Sequence, residues 1–157
     1  MKKKYIYLLV GVLILVLLDQ IVKELVVKFI SGNDLILINN FLKFSYVKNT
    51  GAAFSIFSGN LLFLIIVTII LISYLIYEYR KTNNKINLFA FILIFSGAIG
   101  NLIDRISLKY VRDFISFTIF NKDMAIFNVA DMYITFGVIL YIYCILRDEK
   151  NERDSSK

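Results

Sequence analysis

The sequence predicts an all-α membrane protein of four transmembrane helices, with a small β-like element and an interfacial segment in its outer loops. Apolar residues make up 59% of the 157-residue chain and are gathered in long blocks. Four of those blocks approach the roughly 20 apolar residues that cross a hydrocarbon layer of about 30 Å. The polar residues within them collect at one end of each block. Such clustering argues for lipid and against a soluble core.

The first span covers residues 5–22, an apolar run to Leu18 followed by Asp19 and Gln20. Lys2, Lys3 and Lys4 before it resemble the start of a signal peptide. No A-x-A-like cleavage site follows and three more spans do, so the segment reads as an uncleaved first span. The second span, 61–77, is closed by Glu78 and Arg80. The third, 86–103, is interrupted by Asn87, Ser96 and Asn101, and the fourth, 126–146, carries Asn128 and Asp131 near its start. Residues 147–157 are then a polar tail. With no internal repeat, no proline and no break in composition, residues 1–157 are expected to form a single domain.

An even number of spans puts both termini on one side. That side holds ten of the 18 Lys and Arg residues, among them the N-terminal lysines, Arg80, Lys81, Lys85 and Arg147. The opposite loops hold eight, spread over many more residues. By the positive-inside rule the termini are cytoplasmic. The net charge of +6 is explained by these flanks rather than by a basic patch for nucleic acid, and no nucleic-acid partner is expected.

Residues 80–85 are short enough to join spans two and three as an antiparallel hairpin, whereas the outer connections run to roughly 38 and 22 residues. Long loops are more often functional. In the first, residues 35–38 and 41–47 are branched and aromatic around Asn39 and Asn40, which predicts a small β-hairpin. The second, 105–120, mixes Val111, Phe114, Ile115 and Phe117 with charges and suits an interfacial element of undecided secondary structure.

The chain has no histidine, the commonest metal ligand and general base, which argues against zinc hydrolysis and Ser-His-Asp catalysis. No metal or other cofactor is expected. The single cysteine, Cys144, cannot form an internal disulfide.

Carboxylates in or near hydrocarbon cost about 2.5–3.5 kcal/mol at a helix centre, so Asp19, Asp104, Asp113 and Asp131 need explanation. Asp19 has Lys23 one turn later, and an i,i+4 ion pair would satisfy it; direct catalysis is the alternative. Asp104 and Arg105 could be a solvated boundary. They end a dense string, Ser96-Gly97-Ala98-Ile99-Gly100-Asn101-Leu102-Ile103-Asp104-Arg105, whose small residues permit close helix packing. Asn101 and Arg105, four apart, would share a face able to hold a headgroup or a substrate backbone. Asn49-Thr50-Gly51-Ala52-Ala53-Phe54 could be only a loop with a tight turn at Gly51, although Asn49 also suits hydrogen bonding to an extended peptide.

Asp113, in Val111-Arg112-Asp113-Phe114-Ile115, and Asp131, in Phe127-Asn128-Val129-Ala130-Asp131, are each flanked by large apolar residues. If folding brings them together, like charge and low dielectric leave a pair that shares one proton. One carboxylate can then activate water while the other protonates, as in an aspartic protease.

In order, Asp19-Gln20-x-x-Lys23, Asn49-x-Gly51-Ala52-Ala53-Phe54, Gly100-Asn101-x-x-Asp104-Arg105, Val111-x-Asp113-Phe114 and Phe127-Asn128-x-Ala130-Asp131 resemble the lipoprotein signal peptidases, or signal peptidase II family. The resemblance runs from about residue 15 to 135, and five motifs in order are specific where one is not. It implies an aspartic endopeptidase of the bacterial inner membrane that removes the signal peptide of a prolipoprotein just before its diacylglyceryl-bearing cysteine. Its partners would be that lipid-modified substrate and membrane lipid, with the enzyme a monomer and its active site toward the outer face. The catalytic pair would fall on Asp113 and Asp131. Asn49, Gly51, Asn101, Arg105, Asn128 and Ala130 would fall on supporting or substrate-binding positions, with Asp19 and Lys23 bracing the site. Asp104 is the rival for a catalytic place, although an ion pair with Arg105 is expected to hold it. The resemblance also implies a β-like cradle on the membrane and a movable cover over the site.

The chain departs from the family pattern at Ser96, where glycine is common, at Arg112, where valine is common, and at Ala125, where proline often stands. Arg112 would favour the ionised form of Asp113 if it lay beside it. Two other classes compete: an ion- or proton-coupled transporter, against which stands the confinement of the acids to outer ends, and a noncatalytic scaffold, which predicts that Asp113 and Asp131 are dispensable.

Overall fold

The computed structural model describes residues 2–51, 57–82, 84–120 and 122–155. Four helices long and apolar enough to cross a membrane account for most of them. Helix α1, Lys2–Ile30, runs well past the predicted limit at residue 22. Its buried residues Val16, Asp19, Lys23, Val26 and Ile30 fall at alternating spacings of three and four, so one stripe continues to its end. At 1.5 Å per residue the helix is about 44 Å long, more than the hydrocarbon core requires. Its last turns pack Val26 and Ile30 under Phe114 of the sheet.

Helices α2, Leu61–Lys81, and α3, Lys85–Leu108, form the predicted hairpin. The turn is fixed at both ends. Asn84 caps α3 by accepting from the Ile86 N–H at 2.9 Å. Lys4 donates to the carbonyls of Tyr79, Arg80 and Thr82 at the C-terminus of α2, where a cation also meets the helix dipole favourably. Helix α3 is the centre of the bundle: 61% of its span is buried within the protein, against 11–17% of the other three. Gly97 and Gly100 make this possible. A side chain at Gly97 would run into the Ala130 carbonyl and Ile134 of the fourth helix, and one at Gly100 into Asp19.

Helix α4, Val129–Ser155, starts three residues after the predicted boundary and carries the helix through the predicted tail. Its start is late because Phe127 is in extended backbone, bridged to Ile115.

The connections between α1 and α2 and between α3 and α4 build a sheet of order β1-β2-β3-β4, with antiparallel pairing throughout. Strands β1, Leu35–Ile38, and β2, Leu42–Asn49, are the predicted hairpin, with Asn40 in the left-handed region at its turn. The segment of undecided structure is β3, Val111–Ile119, followed by the short β4, Lys122–Asp123.

Candidate active site

Asp113 and Asp131, eighteen residues apart, reach one site because β3 pairs with the residues that lead into α4. Phe114 and Ile115 donate to the Phe127 carbonyl at 3.0 and 2.8 Å, and Phe127 donates back to the Ile115 carbonyl at 3.1 Å. Asn128 therefore emerges beside Asp113. It is also the residue before the first turn of α4, and its side-chain oxygen accepts the Asp131 N–H at 3.0 Å while the Asp131 carboxylate accepts the Asn128 N–H at 3.1 Å. This is a capping box with aspartate in the acidic position.

The Asn128 amide donates to Asp113 Oδ1 at 2.6 Å. Asp113 Oδ2 accepts from the Asn49 amide at 2.7 Å. In the β2–β3 register Val47 faces Asp113 and Asn49 faces Val111, so the Asn49–Asp113 bond is a diagonal contact across one face of the sheet. Asn49 is itself fixed, its oxygen accepting the Gly51 N–H at 2.8 Å. Arg105 donates to the Gly51 carbonyl at 3.1 Å. Ala52, Ala53 and Phe54 of that motif lie outside the described residues.

Asp131 Oδ1 accepts from the Asn101 amide at 2.7 Å, and Asn101 Oδ1 accepts from Lys23 at 2.9 Å and from the Asn128 amide at 3.2 Å. Asn101 and Arg105 thus do share a face directed at the site. Asp19 forms the expected ion pair with Lys23, at 2.9 Å with both side chains wholly buried, and it also accepts the Ala130 N–H at 3.0 Å. The second bond anchors the first turn of α4 to α1. Ala130 must be small here, pressed between Gly97 and Gly100.

One expectation is corrected, and one side-chain direction that the sequence leaves open is fixed. Asp104 pairs not with Arg105 but with Arg112, at 2.7 Å, and with Lys23 at 3.5 Å. Arg112 does not lie against Asp113: alternation along β3 turns it to the opposite face, toward Gln20, Glu24 and Asp104. The cause of both is the same. Arg105 is on the helix face that looks into the cavity, and the strand brings a different arginine to the buried face.

Burial is the main cause that drives the Asp113 carboxyl up to about 6, the negative charge of Asp131 adds to it, and the Asn49 and Asn128 amides oppose it. Asp113 is 2% exposed, whereas Asp131 is half-buried. Both line a cavity of about 690 Å³ together with Asn49, Asn101 and Arg105. Its remaining wall is mostly apolar and includes Leu71, Ala98, Ile134 and Phe136 from α2, α3 and α4. Asp19, Lys23 and Asp104 are not among the lining residues. The apolar wall was not foreseen, since periodicity alone does not tell a lipid-facing position from a cavity-facing one on an apolar helix.

Residues 11–147 match the family model described as Signal peptidase (SPase) II. The chain is similar to the lipoprotein signal peptidase of Clostridium tetani, 43% identical over 141 residues that cover 87% of this chain and 90% of that one. It is 40% identical to the lipoprotein signal peptidase of Staphylococcus aureus, with 98% of each chain covered. Among solved structures it resembles a bacterial membrane enzyme determined by the in meso method at 2.3 Å resolution. There the TM-score is 0.82 and the identity 38%, over 92% of this chain and 90% of that one.

Proposed function

Because this chain belongs to the signal peptidase II family, we propose that Asp113 and Asp131 are its catalytic pair. Its function is that of a membrane-embedded aspartic endopeptidase, which removes the signal peptide from diacylglyceryl-modified prolipoproteins by cleaving just before the lipidated cysteine. The observation that carries the pair is their joint exposure to one apolar-walled cavity, held together by Asn128.

Asp113, the more buried of the two, holds the shared proton, and Asp131 is the base. In the first step Asp131 takes a proton from water as the water oxygen bonds to the peptide carbonyl carbon, and the Asp113 proton passes to the carbonyl oxygen. In the second, the carbon–nitrogen bond breaks, the proton gained by Asp131 goes to the departing amine, and Asp113 regains its own. Asn128 and Asn101 keep the acceptor oxygens aimed, and Arg105, with Asn49 and Gly51, forms the polar rim over which substrate backbone would lie.

A structural role for Asp104 is supported by its partners, Arg112 and Lys23, and by its place outside the cavity lining. Asp19, Lys23, Asp104 and Ala130 are supports. All of these groups come from one chain, which supports a monomeric enzyme acting as one domain. Lys4, Arg80, Lys81, Lys85 and Arg147 lie toward the helix ends remote from the aspartates, and this supports cytoplasmic termini with the site at the outer face of the bacterial cell membrane. A cavity walled mostly by apolar residues of three spans also fits a substrate that carries a lipid.

The purified protein in detergent tests this reading against a diacylglyceryl-modified prolipoprotein and its unlipidated form. Release of the signal peptide with the lipidated cysteine as the new N-terminus is expected from the first alone. Equal cleavage of both, or a cut elsewhere, contradicts it.

A further inference from the structure

Arg112 sits next to Asp113 in the strand and turns its back on it. Its backbone N–H and Nε donate to Asp104 Oδ2 at 3.0 and 3.2 Å, and its Nη2 to Asp104 Oδ1 at 2.7 Å. Nη2 also reaches Gln20 Oε1 at 2.8 Å, and Nη1 reaches Glu24 Oε2 at 3.1 Å. Both oxygens of a fully buried carboxylate are thus taken by one guanidinium, the geometry in which arginine is strongest.

A second cation competes for that carboxylate. Lys23 Nζ lies 3.5 Å from Asp104 Oδ2, but 2.9 Å from Asp19 Oδ2 and 2.9 Å from Asn101 Oδ1. An ammonium only donates, so Asn101 must turn its oxygen to Lys23 and hence its NH2 to Asp131 Oδ1, at 2.7 Å. Lys23, at 2.9 Å, and the Asn128 amide, at 3.2 Å, hold the oxygen of this amide together, and Lys23 is the shorter and charged contact. Arg112, by satisfying Asp104, leaves Lys23 on Asn101.

We propose that Arg112 is a positioning residue for the active site, acting through Asp104 and Lys23 to fix the Asn101 amide that donates to Asp131. The proposal rests on Asp113 and Asp131 being the catalytic pair. Without the guanidinium, Asp104 would be a buried carboxylate short of a partner, and Lys23 would be drawn across to it. The Asn101 oxygen would then keep only the longer bond from the Asn128 amide, at 3.2 Å, and the NH2 that donates to Asp131 would be held less firmly. The charged groups around this node are Asp19, Lys23 and Glu24 on α1, Asp104 and Arg105 on α3, Asp113 on β3 and Asp131 on α4, with the Tyr46 phenol on β2.

The test is a cycle on the full chain in detergent, with a lipidated prolipoprotein as substrate: Arg112→Gln, Arg112→Lys, Asp104→Asn, and Arg112→Gln with Asp104→Asn. Arg112→Gln is expected to lower kcat roughly 10- to 100-fold with KM little changed, as a small misplacement near reacting atoms does. Its pH profile should move to higher pH, because the cluster around Asp104 loses one positive charge while keeping its carboxylates. Arg112→Lys should retain more activity than Arg112→Gln, and on the Asp104→Asn background Arg112→Gln should cause no further loss. A kcat within about twofold of wild type in Arg112→Gln overturns the proposal. So does a further loss on the Asp104→Asn background, a comparison that stands even where Arg112→Gln alone fails to fold. Activity surviving in Asp113→Asn or Asp131→Asn would defeat the catalytic pair itself, whereas a silent Arg112 beside an essential pair defeats only the inference drawn from it.

Discussion

Asn128 and Asp131 cap one another across the first turn of α4, each accepting the other's backbone N–H, at 3.0 and 3.1 Å. The same Asn128 amide holds Asp113 at 2.6 Å, so one side chain sets both carboxylates and starts the helix that carries one of them. Asn128→Ala removes the side-chain cap and the hold on Asp113, leaving only the backbone N–H bond to Asp131, and should lower kcat at least about 100-fold, as displaced reacting groups do. The lost cap should cost only ~1 kcal/mol of stability. Rates measured beside melting temperatures separate the two; a stable variant with full activity would show that Asn128 does not set the pair.

The raised pKa of Asp113 has a consequence for stability. A carboxyl that titrates near 3.8 when unfolded and at about 6 when folded binds its proton more tightly in the folded protein. Stability attributable to this group is therefore complete below about 4 and is lost as pH rises through about 6, by at most about 3 kcal/mol. Asp113→Asn should be more stable than wild type at pH 7.5, and the advantage should shrink toward pH 4. Melting curves across that range test it; an advantage that grows on acidification would contradict the sign.

Gly100→Ala should weaken the site from behind. An added Cβ would lie 2.6 Å from Asp19 Oδ2 and 3.4 Å from the Ala130 side chain. Asp19 would have to move off the Ala130 N–H, costing about 1–3 kcal/mol with the overpacking. A lower melting temperature together with reduced kcat is expected, and an unchanged melting temperature would show that the helices tolerate separation there.

Orientation is tested with a membrane-impermeant thiol reagent. Cys144 is buried and should stay silent. Asn33→Cys, on the outer loop, should label in intact cells, and Asn151→Cys, near the end of α4, only after the membrane is opened. The reverse pattern would invert the topology.

The sequence made the spans, the first outer hairpin and the Asp19–Lys23 pair legible, because each depends on local spacing: 20 apolar residues, alternation around Asn39-Asn40, and one helical turn. It did not show that α1 continues to Ile30, since the stripe that extends it passes through Lys23 and Val26 toward a sheet far off in sequence. Nor did it show where Arg112 points. That direction follows from the parity of β3, and mixed apolar and charged residues in 105–120 allow strand and helix alike. The link from Lys23 to Asn101 spans 78 residues and leaves no local trace.

Two carboxylates, Asp113 and Asp131, and not a third, are proposed to perform the cleavage. Single-turnover rates on a lipidated prolipoprotein test this for wild type, Asp113→Asn, Asp131→Asn and Asp104→Asn, all confirmed as folded. Asp113→Asn and Asp131→Asn should each fall by roughly 1,000-fold or more, the scale of a lost general acid or base, and Asp104→Asn by clearly less. Substantial activity in either of the first two, or an equal loss in the third, would contradict the assignment.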